Sequence, residues 1–298
     1  MAADRQPSHD LLTTRELADF LRLKERKIYD LVASGEVPHV RVSGKLLFPR
    51  TLIYAWLDRH TVPETRTPGD EPALVIAGSH DPLLEWALRE SGAGIPSLFD
   101  SSLDGIERLA RLDAMAAGIH IVEPDGYNVH AVAGRLAGRP IVLLEWATRS
   151  QGLLVAPGNP RGIQSPHHLA GARVALRQRS AGSFLLLERL LAEADLRVSD
   201  LAAIAGPFGS EAELALAIAD GKADAGVGIE AMAKAFRLGF IPLARERYDL
   251  AVWRKSFFES PFQALMRFTR TPRFAERAAE LGGYDISGLG GIRYNGGV

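Results

Sequence analysis

The sequence predicts an α/β protein in which a small helical N-terminal unit precedes a larger unit of alternating strands and helices. Three observations lead to this prediction. Residues 13–57 carry helix-period apolar patterns around one glycine turn, and residues 61–72 contain three prolines and no apolar periodicity. Residues 73–298 alternate short apolar runs with amphipathic segments, which is typical of parallel sheets covered by helices. We therefore place one domain at 1–60, a linker at 61–72 and a second domain at 73–298.

Composition narrows the class of protein. The chain has 298 residues, no cysteine and a net charge of -1, with 47% hydrophobic residues. Without cysteine there are no disulfides or thiolate metal sites, and the balanced charge means that any DNA contact must come from a local patch. Residues 1–30 are too polar for a signal peptide, and no apolar run approaches the ~20 residues of a membrane span. We therefore expect a cytoplasmic protein with no membrane partner.

The first unit is predicted to contain two short helices, a hairpin and a closing helix. Thr13 and Thr14, followed by Glu16, form a helix start, and Gly35 ends the second helix. The other predicted elements are a second helix over about residues 24–33, strands over 39–42 and 46–48, and a third helix over 51–57. This order is that of a winged helix-turn-helix.

In such a module the second helix enters the DNA major groove and the hairpin, or wing, touches the backbone. The predicted second helix and hairpin carry basic residues on their outward faces. The alternative is that these residues only keep a small domain soluble. Our candidate base contacts are Arg26, Lys27 and Tyr29, and our candidate phosphate contacts are Arg41, Lys45 and Arg50.

The stretch LTTRELADFLRLKERKIYDLVASGEVPHVRVSGKLLFPR, residues 12–50, resembles the excisionase-like branch of the MerR-related DNA-binding domains. The resemblance implies double-stranded DNA as a partner. One departure is Lys24, because that family usually has a serine there that caps the second helix. We therefore expect a weaker cap at this position.

Three predicted strands of the larger unit are each followed by a turn that contains serine and then by a helix. The clearest case is residues 173–187, RVALRQRSAGSFLLL, in which Ser180 or Ser183 can cap the helix. Helix N-terminal amides at the carboxyl ends of strands form sites for anions or polar ligands. An ordinary capped helix is the alternative for each turn alone. The predicted ligand contacts are Ser79, His80, Ser101, Ser102, His120, Arg177, Gln178, Arg179, Ser180, Gly182, Ser183 and Glu230.

From about Pro72 onward the chain resembles the periplasmic-binding-protein-like (type II) domain that is similar to molybdate- and tungstate-binding proteins. The motifs that carry the resemblance are GSHDPLL (78–84), AGIHIVEPDG (117–126), SQGLLVAPGNPRGI (150–163), RQRSAGS (177–183), GKADAGVGIEA (221–231) and FIPLARERYDL (240–250). The resemblance implies a cleft between lobe I, residues 73–148 and 249–298, and lobe II, residues 149–248, with crossings near 147–152 and 244–249. Two departures are Phe184, where the family has arginine, and Glu213, where it commonly has histidine.

Motifs of several enzyme classes are absent from the sequence. It contains no Walker loop, no G-x-S-x-G elbow and no H-E-x-x-H motif. His167 and His168 follow Pro166 in a predicted turn, where solvated histidines are more common than a metal pair. We therefore expect no enzyme, no metal site and no cofactor.

These observations predict a ligand-responsive transcriptional regulator, a homodimer on DNA, whose effector is an oxyanion such as molybdate or tungstate. Glu230 begins a helix after Gly228, and a carboxylate turned into the cleft would repel a dianion or bind donor groups of an organic ligand such as a pterin. Its other role would be to stabilise its own helix N-terminus. The alternative function is a cytoplasmic protein that binds a small organic molecule without regulating DNA directly.

Overall fold

A computed structural model of the protein describes residues 11–21, 23–42, 44–50, 52–53, 56, 71–179, 181–204 and 206–297. The chain forms two compact units, Met1–Thr65 and Arg66–Val298. The boundary between them falls within the predicted linker, whose residues 61–70 lie outside the described part of the chain.

The described residues of the first unit form helices and a three-stranded sheet with the order β1-β3-β2. The elements are β1 Leu11–Thr13, α1 Thr14–Leu21, α2 Glu25–Ala33, β2 Val40–Val42 and β3 Lys45–Pro49. Sequence patterns do not predict β1, which pairs antiparallel with β3 and buries Leu12. The core of the first unit contains Leu17, Ile28, Phe48 and Ile53. Of the predicted third helix, Leu52, Ile53 and Trp56 are helical, and the other residues of 51–57 lie outside the described part.

The starts of the two helices differ as the sequence predicts. Thr13 Oγ1 accepts a hydrogen bond from the Glu16 amide at 3.3 Å, and Glu16 Oε2 accepts one from the Thr13 amide at 2.8 Å, which is a capping box. Lys24 is the N-cap of α2, and its side chain makes no capping hydrogen bond to any described residue. The expected weaker cap of α2 is therefore confirmed.

The second unit is built on a mixed sheet. Its strands are β4 Ile76–Gly78, β5 Ser97–Phe99, β6 Ala116–Ile119, β9 Ile141–Val155, β10 Arg173–Ala175, β11 Ala202–Ala203, β12 Ala225–Ile229, β13 Gly239–Trp253, β14 Tyr284–Asp285 and β15 Ile292–Asn295, with β7 Val122–Glu123 and β8 Gly126–Tyr127 forming a separate hairpin. The order is β11-β10-β12-β9-β13-β6-β4-β5, and β14 and β15 also pair with β9. The helices are α3 Pro82–Glu90, α4 Ser102–Ala110, α5 Val129–Arg135, α6 Gly182–Glu193, α7 Glu211–Ala219, α8 Glu230–Phe236, α9 Arg254–Phe257, α10 Ser260–Phe268 and α11 Pro272–Leu281.

Two strands of 15 residues each, β9 and β13, run antiparallel through the whole unit. The predicted crossings, 147–152 and 244–249, lie in the middle of these strands. Apolar runs in the sequence mark only the strand ends, because buried polar residues such as Arg149 and Glu246 interrupt the pattern in the middle. The structure therefore has two continuous strands where the sequence suggests separate short ones.

The predicted parallel pairing is present in only part of this sheet. Strand β4 pairs parallel with β5 and β6, and β10 pairs parallel with β11 and β12. The pairs of β9 with β12 and β13, and of β13 with β6, are antiparallel. The two long strands impose this arrangement, because they run in opposite directions between the two parallel groups.

Apolar side chains cover both ends of this sheet. Trp146, Phe262 and Phe274 are buried in one cluster, and Leu153 and Val227 are buried in another. Within the part of the chain that the structure describes, no helix is long and apolar enough to cross a membrane.

Candidate functional site

A cavity of about 120 Å³ lies in the second unit where β4, β5, β6 and β10 end and where α4, α6 and α7 begin. Helix N-terminal amides point toward this edge, where α/β folds commonly hold ligands. The lining residues are Ser79, His80, Phe99, Asp100, Ser101, Ser102, His120, Arg177, Gln178, Ala181, Gly182, Ser183, Gly209, Ser210 and Glu211.

The structure brings most of the predicted ligand residues together around this cavity. Those that line it are Ser79, His80, Ser101, Ser102, His120, Arg177, Gln178, Gly182 and Ser183. Asp100 and the segment Gly209 to Glu211 also line the cavity and are not among the predicted residues. The pattern Ser-Glu-Ala-Glu at 210–213 is a helix-start signal that could have indicated a fourth converging turn.

Three predicted residues are placed differently. Arg179 is exposed and is not among the lining residues, and Ser180 lies outside the described residues. Glu230 begins α8 beside Gly283, where a Cβ added to that glycine would lie 2.7 Å from Glu230 Cβ. Glu211, rather than Glu230, therefore brings a carboxylate to the cavity.

Ser79, Ser102 and His120 form one wall, which we name the histidine wall. Ser79 Oγ lies 3.2 Å from Ser102 Oγ and 3.0 Å from His120 Nε2. Ser102 Oγ accepts a hydrogen bond from the His120 amide at 3.1 Å. The neighbouring Ser101 uses its hydroxyl to accept from the Asp104 amide and thereby caps α4. The hydroxyls of the histidine wall are thus bonded to one another before any ligand is considered.

A chain of buried charges supports the histidine wall from behind. His120 Nδ1 lies 2.9 Å from Glu246 Oε2, and Arg149 bonds to Glu246 with one nitrogen and to Asp81 Oδ2 at 2.9 Å with another. Burial raises the pKa of Glu246, but Arg149 and His120 more than offset it and lower this pKa to about 2. Burial likewise disfavours the Arg149 charge, but Glu246 and Asp81 hold its pKa well above the ordinary value. Both groups are therefore ionised at neutral pH.

Close packing around these buried charged side chains leaves them little room to move. Arg149 lies over the Tyr248 ring at 4.5 Å, and the Tyr248 hydroxyl donates to the Ser79 carbonyl at 2.5 Å. A Cβ on Gly118 would lie 1.8 Å from that hydroxyl, so only glycine fits there. Asp81 also caps α3 by accepting from the Leu84 amide at 2.7 Å. The orientation of His120 is therefore fixed by the fold.

The opposite wall, which we name the helix wall, contains Arg177, Gly182, Ser183 and Glu211. The N-cap of α6 is Ala181, which has no polar side chain, so Ser183 does not cap this helix, and Ser180, the other predicted cap, lies outside the described residues. Ser183 lies in the first turn, is only 3% exposed and has no hydrogen-bond partner for its hydroxyl among the described residues. A Cβ on Gly182 would lie 2.7 Å from His120 Cε1, so the start of α6 directly contacts the histidine wall.

Charge on the helix wall is mixed. Arg177 donates to the carbonyls of Phe208 at 3.2 Å and Gly209 at 3.1 Å. Burial lowers its pKa, but a guanidinium remains charged in proteins. Glu211 Oε2 accepts weakly from the Ile229 amide at 3.4 Å. Glu213 does not line the cavity, because its carboxylate accepts from the Gly209 amide at 2.8 Å.

A possible cation-binding group lies away from this cavity. Glu123, Asp125 and His130 each offer one ligand atom, all within 4.8 Å of one another. The Glu123 carboxylate already accepts from the amides of His130 at 2.9 Å and Ala131 at 2.7 Å, so its evident role is to satisfy the start of α5. His167 and His168 lie exposed on a 3₁₀ turn.

The first unit presents its predicted DNA contacts on one α2 and hairpin surface. Arg26, Lys27 and Tyr29 are exposed on α2, and Arg41 and Lys45 are exposed on the hairpin. Tyr29, Arg41 and Lys45 line a shared concave surface together with Arg15, which is not among the predicted contacts. Arg50 is half-buried. Basic side chains around a groove beside a helix fit contacts to DNA phosphates.

Comparison with known proteins identifies both units. Residues 11–61 match the family model of a helix-turn-helix domain. Residues 84–270, more than half of the chain, match the model of a PBP superfamily domain. The chain belongs to the PBP superfamily. Its α/β architecture and small N-terminal helix-turn-helix are those predicted from the sequence.

Individual relatives of this PBP-superfamily chain cover different parts of it. An uncharacterized protein YvgK of Bacillus subtilis (strain 168) is 24% identical over 94% of this chain and 96% of its own length. A probable excisionase of Saccharopolyspora erythraea is 48% identical over 17% of this chain and 53% of its own. The sulfate-binding protein SubI of Mycobacterium tuberculosis H37Rv is similar at 18% identity, with a TM-score of 0.49, over 70% of this chain and 85% of that one.

Proposed function

We propose that this protein is a transcriptional regulator that binds DNA through residues 11–60 and responds to an oxyanion, such as molybdate or tungstate, held in the cavity of its second domain. The cleft would lie between lobe I, residues 73–148 and 249–298, and lobe II, residues 149–248. The matches to a helix-turn-helix domain and to a PBP superfamily domain support a DNA-binding protein with a ligand-binding domain.

The observation that carries the ligand proposal is the helix wall. Among the described residues, no side chain caps the first amides of α6, and no group accepts from or donates to the Ser183 hydroxyl. Because Ser183 lines the cavity, its hydroxyl and the first amides of α6 are free to hydrogen-bond to a ligand held there. Arg177 adds positive charge at the same place. An oxyanion fits this set because it accepts hydrogen bonds in several directions.

The size of the cavity favours a small ion over an organic effector. Its volume is about 120 Å³, whereas pockets for drug-sized ligands are roughly 300–1,000 Å³. An organic ligand such as a pterin remains the competing proposal, supported by Glu211 and Asp100, whose carboxylates could accept from its donor groups.

The contacts of Ser79 with His120 and of His120 with Glu246 also resemble the hydrogen-bonded nucleophile, base and acid of a hydrolase. Two contacts favour binding over hydrolysis. The Ser79 hydroxyl is shared with Ser102, and the Ser79 amide donates to the Gly118 carbonyl at 2.8 Å, so this amide is not available to stabilise a reaction intermediate.

Calorimetric titration with molybdate, tungstate and sulfate tests the oxyanion proposal. Wild type should bind at least one of these anions, and Glu211→Gln should bind it several-fold more tightly because a repelling carboxylate is removed. Glu230→Gln is the matched control, since the same change is made outside the cavity lining and should leave the affinity unchanged. Absence of heat with all three anions and all three proteins would rule out the oxyanion.

DNA titration at several salt concentrations tests the regulator proposal. Affinity should fall steeply as salt rises, and Lys45→Ala should weaken binding to every DNA sequence and reduce the salt slope by about one. Glu25→Ala, on the outer face of α2, should not reduce affinity. A protein that does not bind DNA even at low salt would instead be a small-molecule binding protein without direct DNA regulation.

We also propose that the active form on DNA is a homodimer. A single winged module makes few base contacts, and two modules on paired half-sites supply the specificity that a regulator needs. Sedimentation with a DNA fragment should give two chains per site, and a strictly monomeric complex would contradict this proposal.

A further inference from the structure

We propose that His120 determines whether the cavity offers hydrogen-bond donors or acceptors, so that an oxyanion is bound together with one proton on this imidazole. The inference rests on the proposed oxyanion function and names the residue that makes the site selective for an anion. It follows from counting the hydroxyl hydrogens of the histidine wall.

The contact with Glu246 determines the protonation state of one ring nitrogen of His120, Nδ1. Glu246 is only 4% exposed, accepts from Arg149 and lies 2.9 Å from His120 Nδ1. Because its pKa is lowered to about 2, this carboxylate is ionised and can only accept hydrogen bonds. His120 Nδ1 must therefore carry a hydrogen, and only Nε2 can change its state.

With a neutral ring, both serine hydroxyls are occupied within the protein. The bare Nε2 is an acceptor, so the Ser79 hydroxyl 3.0 Å away donates to it. Ser79 Oγ then has no hydrogen left for Ser102, so the Ser102 hydroxyl donates across the 3.2 Å contact. Ser102 Oγ already accepts from the His120 amide. A ligand would meet only oxygen lone pairs on this wall, which repel an anion.

With a protonated ring, one hydroxyl hydrogen becomes free. Nε2 now donates to Ser79 Oγ, and a single hydrogen is needed for the contact between Ser79 and Ser102. The remaining hydroxyl hydrogen can point into the cavity toward a bound oxygen, and the ring adds a positive charge beside the start of α6. Protonation thus changes the wall from an acceptor surface to a donor surface.

His120 contacts both serine hydroxyls, Ser79 Oγ through Nε2 and Ser102 Oγ through its backbone amide. Other charged groups also lie around it. Burial raises the pKa of Tyr248, whose ring stacks on His120 at 6.0 Å, so Tyr248 stays neutral in the range tested. His80 bonds to Glu85 at 3.1 Å on the exposed rim. The groups that face His120 are Glu246 and Tyr248 from β13, Arg149 from β9 behind Glu246, and Asp100, Arg177, Glu211 and His80 around the cavity.

Proton uptake on anion binding tests this inference in the full-length protein. Sulfate is the first probe because it does not titrate near neutral pH, and molybdate is the second. Calorimetry in two buffers of different ionisation enthalpy, repeated at several pH values, should show net proton uptake when the anion binds. Between about pH 6 and about pH 9, affinity should fall up to about tenfold per pH unit.

Three variants test whether His120 is the group that takes up the proton. His120→Gln has a permanent amide donor, so it should bind the anion with little pH dependence and almost no proton uptake. His168→Gln is the matched control, because this exposed ring contacts Ser165 at 3.0 Å, is not among the cavity-lining residues and should leave the uptake unchanged. In His80→Gln the uptake should persist. Histidine nitrogen chemical shifts of wild type report the Nε2 state directly, should His120→Gln fail to fold.

The possible outcomes separate the two proposals. Anion binding with no proton uptake and no pH dependence would overturn the role of His120 while leaving the oxyanion function intact. Uptake abolished by His80→Gln but retained by His120→Gln would also overturn it. Absence of binding by every anion from about pH 6 to about pH 9 would overturn the oxyanion function itself.

Discussion

The two walls of the cavity differ in how far their polar groups are already satisfied. In the histidine wall, Ser79, Ser102 and His120 bond to one another and to Glu246. In the helix wall, no described side chain caps α6 or bonds to the Ser183 hydroxyl. The fold alone fixes the first wall, whereas a ligand would complete the second. Such a division gives a site one rigid reference surface and one surface that gains stability on binding.

The largest expected effect comes from removing Arg149, the buried arginine that supports the histidine wall. Arg149 is 2% exposed and joins Asp81 to Glu246, so Arg149→Met leaves two carboxylates buried without a cation. We expect a loss of roughly 3–5 kcal/mol in the free energy of unfolding, measured by urea denaturation.

The control for this change is an exposed arginine on the same long strand pair. Arg245 pairs with Asp285 at the surface, at 3.2 Å, so Arg245→Met should cost less than about 1 kcal/mol. Equal losses in the two variants would show that the buried charges do not hold the histidine wall in place.

A smaller effect is expected from pH, at Asp249, a buried carboxyl on the same strand as Glu246. Burial raises the pKa of Asp249 to about 6, in spite of hydrogen bonds from Asn128 at 2.7 Å and Arg247 at 3.0 Å. Because this folded-state pKa lies above the unfolded value, its stabilising contribution is complete below about pH 4 and is lost as pH rises through about 6.

The comparison of wild type with Asp249→Asn isolates this contribution. From about pH 4 to about pH 7, wild type should lose on the order of 2–3 kcal/mol of unfolding free energy relative to the variant. In Asp285→Asn the difference from wild type should stay flat over this range, because Ser287 lowers the pKa of Asp285 and that group titrates at lower pH. A flat difference for Asp249→Asn as well would mean that Asp249 is ionised throughout.

The smallest effect compares one serine from each wall. Ser183→Ala removes a hydroxyl that has no described partner, so the melting temperature without ligand should change little and can rise. Its sulfate affinity should fall by roughly two- to tenfold, the value of one hydrogen bond. Ser79→Ala should lower the melting temperature, because it leaves His120 Nε2 without its partner. Similar melting behaviour of the two variants would remove the distinction between the walls.

Many of the predicted residues line the cavity because the sequence signals that indicate them are local. The sequence indicates Ser79, Ser102 and Gly182 because each lies between an apolar strand run and a helix, and it indicates His120 because it lies at a strand end. Strand ends and helix starts are encoded by neighbouring residues, and the fold places them along one edge of the sheet. The capping box at Thr13 and Glu16 is local in the same way.

Features that join distant parts of the chain were missed for the opposite reason. Arg149 and Glu246 lie 97 positions apart, and nothing in their local patterns distinguishes them from solvated surface charges. Glu230 and Glu211 both begin helices, yet only Glu211 lines the cavity. The direction of a side chain at a helix start depends on how that helix packs, which local sequence does not encode.

The sequence by itself therefore determined the α/β class with its small N-terminal helix-turn-helix, and the sheet edge at which polar residues gather. Tertiary structure alone decided which of these residues share their hydrogen bonds. The pairing of β9 with β13 brings Arg149 opposite Glu246, and β13 beside β6 brings Glu246 to His120. Hydrogen-bond donor and acceptor states depend on such contacts between distant residues, because a hydroxyl or imidazole takes its role from the group it faces.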